Sequence, residues 1–243
     1  MTYNEMLRFE LGNPNNKPLV FLHGIFVPLE TYVPFIRELA DHDYYVIAPM
    51  LHPRRDDDFK PGTVEEYADK FLEFAQERNL FNYPIVAHSF GSAIAFEAAT
   101  KSQDIAKIAA LAPTQPTSDS FGEFAKKALI GNMKNNTANF KNSLQYPMSS
   151  FYNFIQAPKQ FMTTAGEMLN YSFPENVEQP VLFSLAEKDD YYPIDEEREK
   201  EITDLIQKSF TNPTIEILKG QVHGFPTFHP EKIAEMVANY LNK

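Results

Sequence analysis

The chain has 243 residues, enough for one α/β domain with a deep core, or for one domain carrying an insertion. It contains no Cys, which excludes disulfides and thiolate metal sites and agrees with a reducing compartment. A formal net charge of −11 sets most of the surface against nucleic acid and anionic membranes.

The opening residues alternate polar and apolar like a strand and carry neither the basic stretch nor the apolar core of a secretory signal. No run approaches the roughly 18 apolar residues that span a bilayer. The expectation is a soluble cytoplasmic protein without a membrane span. Residues 6–11 alternate up to the turn cluster Gly12-Asn13-Pro14-Asn15-Asn16, so two strands or a hairpin open the fold. Residues 19–22 are continuously apolar, the mark of a strand buried on both faces of a largely parallel sheet, and they run into His23-Gly24-Ile25-Phe26. Residues 29–40 form an amphipathic pattern, with Val33, Ile36, Leu39 and Ala40 on one side and Arg37 and Glu38 outward. A buried strand over 44–48 leads to a polar, proline-rich loop. Thr63 with Glu66 three residues on is a capping box that starts a helix over 64–78.

The apolar run 85–87 stops at Ser89, after which Ile94, Ala95 and Ala98 give a helix its packed face. Residues 105–112 read as another strand, stopped by Pro113. Strand and helix in alternation imply parallel strands, right-handed crossovers and helices on both faces. From 114 to 179 the alternation is lost. That segment carries Phe121, Phe124, Phe140, Phe151, Phe154, Phe161, Phe173 and four of the chain's eight Met. It reads as a helical insertion over the carboxyl ends of the strands, where such sheets bind ligands. Most of its aromatic side chains are expected to build the insertion's own core. A strand over 180–185, a charged helix over 194–210, a strand over 214–218 and an amphipathic helix over 231–241 complete the chain.

Three strand ends carry chemically able residues: Ser89, the stretch 186–193, and the stretch 220–224. A serine nucleophile needs a base to take its proton, and the base needs a buried carboxylate to fix its tautomer and stabilise its charged form. Ser89, Asp189 and His223 supply these roles in that chain order, with Asp190 a rival acid one residue along. Ser92, one helical turn past Ser89, is expected to be buried against the sheet. Of the other histidines, His23 reads as a structural hydrogen bonder, His88 as packing beside the turn, His42 as surface, His52 as a loop residue, and His229 as a helix flank. His223 and His229 are six residues apart across a proline, a poor metal pair, and no phosphate-cradling glycine loop occurs. Neither metal nor cofactor is expected.

The stretch Ala87-His88-Ser89-Phe90-Gly91 resembles the nucleophile elbow of the α/β-hydrolase family, G-x-S-x-G, with alanine in the first slot as in small bacterial lipases. Residues 186–193 resemble the family's G-x-x-D-x-x-x-P turn with Ala186 for glycine, which puts Asp189 at the acid position. An apolar strand running into His23-Gly24 is similar to the family's entry to the oxyanion loop. The resemblance implies an α/β fold with a mostly parallel central sheet and a helical cap inserted after the sixth strand. The core would be 1–113 and 180–243, and the cap 114–179. It implies backbone N–H groups of Ile25 and Phe90 as oxyanion donors, and Phe26, Phe154 and Met162 as pocket residues. Serine at the elbow separates the chain from the dehalogenase and epoxide hydrolase branches, which use Asp there. The implied activity is hydrolysis of a small hydrophobic carboxylic ester through an acyl-enzyme. C–C bond hydrolases, thioesterases, haloperoxidases and hydroxynitrile lyases share the pattern and stay open, as does a non-catalytic ligand receptor on the same fold.

Overall fold

The computed structural model describes residues 8–25, 27, 29–51, 62–120, 122, 123, 126 and 158–243. Its strands are β1 (Arg8–Leu11), β2 (Lys17–Leu22), β3 (Tyr44–Pro49), β4 (Tyr83–His88), β5 (Ile105–Leu111), β6 (Val181–Ala186) and β7 (Pro213–Leu218). They form one sheet in the order β1-β3-β2-β4-β5-β6-β7, with β1 antiparallel to β3 and every other pairing parallel. The opening pair is therefore two strands and not a hairpin, because β3 lies between β1 and β2. The segment expected after a sixth strand follows the fifth of the described strands; residues 1–7 lie outside the described residues.

The helices are α1 (Val33–Asp41), α2 (Val64–Glu77), α3 (Phe90–Lys101), α4 (Pro158–Leu169), α5 (Glu196–Ser209), α6 (Phe225–Phe228) and α7 (Pro230–Leu241). Pro34 fits only the first turn of an α-helix. The residues before α1, Leu29–Tyr32, accordingly form a separate 3₁₀ turn. The expected capping box is present: Thr63 Oγ1 accepts from Glu66 N–H at 3.1 Å, and the Glu66 carboxylate accepts from Thr63 N–H at 3.2 Å. Asp195 caps α5 in the same way by accepting from Arg198 N–H at 2.9 Å. Among the described residues no helix is long and apolar enough to cross a membrane.

Side chains alternate between two cores along the central strands, as a pleated strand covered on both faces requires. Val20, Leu22, Ile85, Ala87, Ile108 and Ala110 pack with α2, α3 and α5. Leu19, Phe21, Val86, Ala109 and Leu111 pack with α1 and α7. The first core also takes in Met168, Tyr171, Phe173 and Val177. Phe173 meets Phe96, Phe183 and Phe210 with ring centroids 6.1, 6.1 and 5.5 Å apart. At least this one of the aromatics counted in the 114–179 segment is thus part of the core of the sheet itself.

Gly91 sets how closely α3 meets β2. A Cβ there would lie 2.3 Å from the carbonyl oxygen of Leu22 and 2.9 Å from that of His23, both backbone atoms that cannot swing aside. Gly166, in α4, has nothing among the described residues within 4 Å of the same position. Gly91→Ala should lower unfolding stability by about 2 kcal/mol or more, whereas Gly166→Ala should raise it by up to about 1 kcal/mol. Urea titrations of the two variants read this directly, and equal midpoints would refute the close-approach argument.

Candidate active site

Ser89 stands between the end of β4 and the first turn of α3, with φ 52° and ψ −122°. Few L-residues adopt such angles, which cost roughly 1–3 kcal/mol and persist only where neighbours enforce them. The neighbours are specific. Ser89 N–H donates to the Leu111 carbonyl at 3.0 Å, and the Ser89 carbonyl accepts from Ser92 N–H at 2.9 Å and Thr114 N–H at 3.3 Å. Ser92 is fully buried, as expected, and its hydroxyl also donates to the Ser89 carbonyl while accepting from Thr114 N–H. It braces the turn.

The structure brings the three expected side chains together. His223 Nε2 lies 2.9 Å from Ser89 Oγ, and His223 Nδ1 lies 2.8 Å from Asp189 Oδ2. A carboxylate only accepts, so in the neutral ring Nδ1 carries the proton and Nε2 accepts from the serine hydroxyl. All three residues are nearly inaccessible: Ser89 is 5% exposed, Asp189 3% and His223 9%. Of the two candidate acids it is Asp189 that faces the histidine. Its other oxygen, Oδ1, accepts from Tyr191 N–H at 2.8 Å and Tyr192 N–H at 3.1 Å. Burial works against a proton on His223 and is the largest influence on it, but the Asp189 charge and hydrogen bond, with a smaller share from Asp190, together hold its pKa above 6.5.

The loops that carry Asp189 and His223 are joined to each other. Lys188 N–H donates to the Gln221 carbonyl at 2.8 Å, and Gly220 N–H donates to the Glu187 carboxylate at 2.8 Å. Glu187 was not singled out by the sequence, and its only signal there is proximity to Asp189. The His23-Gly24 turn comes up beside the serine: a Cβ on Gly24 would sit 3.4 Å from Ser89 Cβ. Among the described residues no acceptor engages the backbone N–H of Ile25 or of Phe90, the latter being the first residue of α3. Phe26, Phe154 and the side chain of Met162 lie outside the described residues. A cavity of about 450 Å³ is lined by Pro116, Thr117, Tyr191, Tyr192 and Arg198 among others, and Tyr191 also packs against the His223 ring at 4.6 Å.

Two further histidines are buried here. His23 donates from Nδ1 to the Gly24 carbonyl at 2.8 Å and accepts at Nε2 from Leu51 N–H at 3.0 Å. It is the structural hydrogen bonder expected. His88 does more than pack: its Nδ1 lies 2.8 Å from Tyr32 Oη and its Nε2 lies 2.9 Å from the His223 carbonyl. Burial pushes the His23 pKa down to about 4, and burial together with the nearby His223 pushes that of His88 down to about 3.

Proton linkage gives these two rings a signature. The unfolded imidazoles take up protons near pH 6.5, whereas the folded ones resist until about pH 4 and 3, so stability is full above 6.5 and falls as pH drops below it. His223, shifted upward, gains its stability as pH falls through its raised folded value to 6.5 and adds nothing further below that, so the loss below 6.5 is not offset by it. By about pH 4.5 each of the two buried neutral rings should have removed on the order of 2–3 kcal/mol. Urea midpoints measured between pH 7.5 and 4.5 should fall accordingly and should fall less in His88→Gln. A midpoint insensitive to pH over that range would contradict the neutral assignment.

A family model described as the alpha/beta hydrolase family matches residues 19–236. A Mycoplasma pneumoniae protein described as putative esterase/lipase 3 is 31% identical over 104 residues, a stretch covering 41% of this chain and 38% of that protein. A hydrolase from Oleispira antarctica superposes with a TM-score of 0.79 at 16% identity, covering 100% of this chain and 98% of that one. A marine microorganism esterase superposes with a TM-score of 0.73 at 18% identity, covering 97% and 99%. At those identities the two structures speak for the fold. The family match spans both core halves and all three facing residues, and on it this chain belongs to the alpha/beta hydrolase family.

Proposed function

We propose that this hydrolase cleaves a carboxylic ester with a hydrophobic acyl or aryl group, with Ser89 as nucleophile, His223 as general base and acid, and Asp189 as the carboxylate that orients it. The observation that carries the reading is the unbroken hydrogen-bonded line Ser89 Oγ, His223, Asp189, at 2.9 and 2.8 Å within a buried site. As Ser89 Oγ bonds to the carbonyl carbon, its proton passes to His223 Nε2, and the imidazolium is stabilised by Asp189. The backbone N–H groups of Ile25 and Phe90 would receive the oxyanion. Collapse of the tetrahedral adduct breaks the ester C–O bond, and His223 returns the proton to the departing alkoxide. Water then repeats the sequence on the acyl-Ser89 ester, giving the acid and free serine. The segment 114–179 would act as a lid over the strand ends, contributing part of the acyl pocket. The esterase names carried by the Mycoplasma protein and the marine structure agree with this reading.

A fluorophosphonate should label Ser89 and leave Ser92 unlabelled, because only the former combines a base with an adjacent oxyanion site. Peptide mapping decides this, and label at Ser92 would end the assignment. Asp189→Asn should lower kcat by on the order of 10³–10⁴, since the amide can hold His223 in the wrong tautomer. Asp190→Asn should stay within a few-fold of wild type, and the opposite ranking in two folded variants would move the acid. Because Asp189 raises the His223 pKa, activity in the wild type should fall as pH drops through a limb above 6.5. A panel of p-nitrophenyl esters of increasing length, run beside an acyl-CoA and a meta-cleavage dienoate, tests the substrate class. Turnover of the dienoate alone would replace ester hydrolysis with C–C hydrolysis.

A further inference from the structure

Beneath the Ser89 turn runs a second line of hydrogen bonds that touches none of the reacting atoms. Gly24 N–H donates to Tyr32 Oη at 3.3 Å, Tyr32 Oη lies 2.8 Å from His88 Nδ1, and His88 Nε2 lies 2.9 Å from the carbonyl oxygen of His223. Chemistry fixes the directions. The His223 carbonyl only accepts, so His88 carries its proton on Nε2, its Nδ1 accepts, and Tyr32 donates to it while accepting from Gly24. Tyr32 and His88 are fully or almost fully buried. Their rings lie 5.5 Å apart, His88 and His223 lie 5.0 Å apart, and Phe21 backs Tyr32 at 5.1 Å. The Gly24 turn fits against this line closely, since a Cβ there would stand 2.9 Å from Tyr32 Oη and 3.1 Å from His88 Nδ1.

The line joins two parts of the site that the sheet connects only by a long route. The Gly24 turn leaves β2 and His223 follows β7, and β4, β5 and β6 lie between those strands. Small offsets at each strand pairing would add up across that distance, whereas two side chains span it directly. Burying a phenol and an imidazole is unfavourable unless their polar atoms are bonded, so plain core packing would be served as well by apolar residues. Resting on the function proposed above, we infer that Tyr32 and His88 are positioning residues that hold the oxyanion loop and the His223 backbone in register with each other. Neither is a catalytic residue: the ring nitrogens of His88 are engaged by Tyr32 and a main-chain carbonyl. Loss of the line should impair the transition state more than substrate binding, because the small displacement it allows matters most where charge and protons move.

The full chain and its variants Tyr32→Phe, His88→Leu, His88→Gln and the Phe/Leu double variant would be compared on a p-nitrophenyl ester, by fluorophosphonate labelling rate and by Tm. His88→Leu should lower kcat by about 10- to 100-fold with KM within about threefold. Tyr32→Phe, which deletes one oxygen, should lower kcat by roughly tenfold, and the double variant should be no worse than His88→Leu because both cut one line. His88→Gln should recover activity to within a few-fold, since its amide offers an acceptor to Tyr32 and a donor to the His223 carbonyl. Wild-type kcat in Tyr32→Phe, a Gln variant as poor as the Leu variant, or multiplied losses in the double variant would each overturn the inference; the first holds even if His88→Leu fails to fold. The two readings fail differently. If wild type labels at Ser89 and His88→Leu labels equally fast, this inference falls alone, whereas a wild type inert to the probe overturns both.

Discussion

At φ 52° and ψ −122° the Ser89 backbone is in a conformation that must be enforced from outside, and the arrangement of the sheet follows from how that is done. The Leu111 carbonyl at the end of β5 takes the serine N–H, while Ser92 and Thr114 supply donors to its carbonyl. Both strands flanking β4 therefore matter: β5 through these hydrogen bonds, and β2 through the close contact that Gly91 permits. The serine sits where two neighbouring strands and one helix converge, so the direction of its hydroxyl is set by the sheet and α3 together.

Electrostatics then distinguishes three histidines in similarly buried surroundings. His23 and His88 have their ring nitrogens bonded to neutral partners, and burial holds both in the uncharged form. His223 is equally enclosed but has a carboxylate on Nδ1, and that one difference reverses the direction of its shift. Asp189 can serve because two amides of its own turn, Tyr191 and Tyr192, satisfy its second oxygen. A buried carboxylate without such donors would carry a heavy desolvation penalty. The turn thus supports the acid, the acid supports the base, and the strained serine meets the base at hydrogen-bonding distance.

Much of this was legible in the sequence because it is written locally. Continuous apolar runs gave the buried strands, Thr63 and Glu66 gave the helix start, and a serine between an apolar run and a helix gave the turn. Sheet order is not local information: the alternation of 8–11 and the turn cluster after it fit a hairpin as well as they fit β1 paired with β3. The choice between Asp189 and Asp190 likewise turned on which way a side chain points. Tyr32 and His88 were missed as a pair for the same reason. They are 56 residues apart, and a directional bond between two side chains has no periodicity to reveal it. A clue was present in hindsight, since a tyrosine opening an apolar helix face and a histidine ending an apolar strand are polar atoms that must find partners.

The segment between β5 and β6 is fastened at both ends, beside Ser89 on leaving and against the far end of α3 on returning. On the way out, Thr114 bonds to the Ser89 carbonyl and the buried Gln115 accepts from Arg198, which also donates to the Pro116 carbonyl. On the way back, α4 presents Glu167 to Val64 N–H at the start of α2, Phe173 joins the aromatic cluster, Val177 pairs with Phe210, and the Gln179 amide donates to the carbonyls of Ala99 and Ser102. The hydrogen bonds of Thr114 and Gln179 are made at the two ends of the segment and do not depend on one another, since they reach opposite ends of α3. The bond from Thr114 to the Ser89 carbonyl thus serves two ends at once, fixing where the segment leaves β5 and holding the strained backbone of the serine.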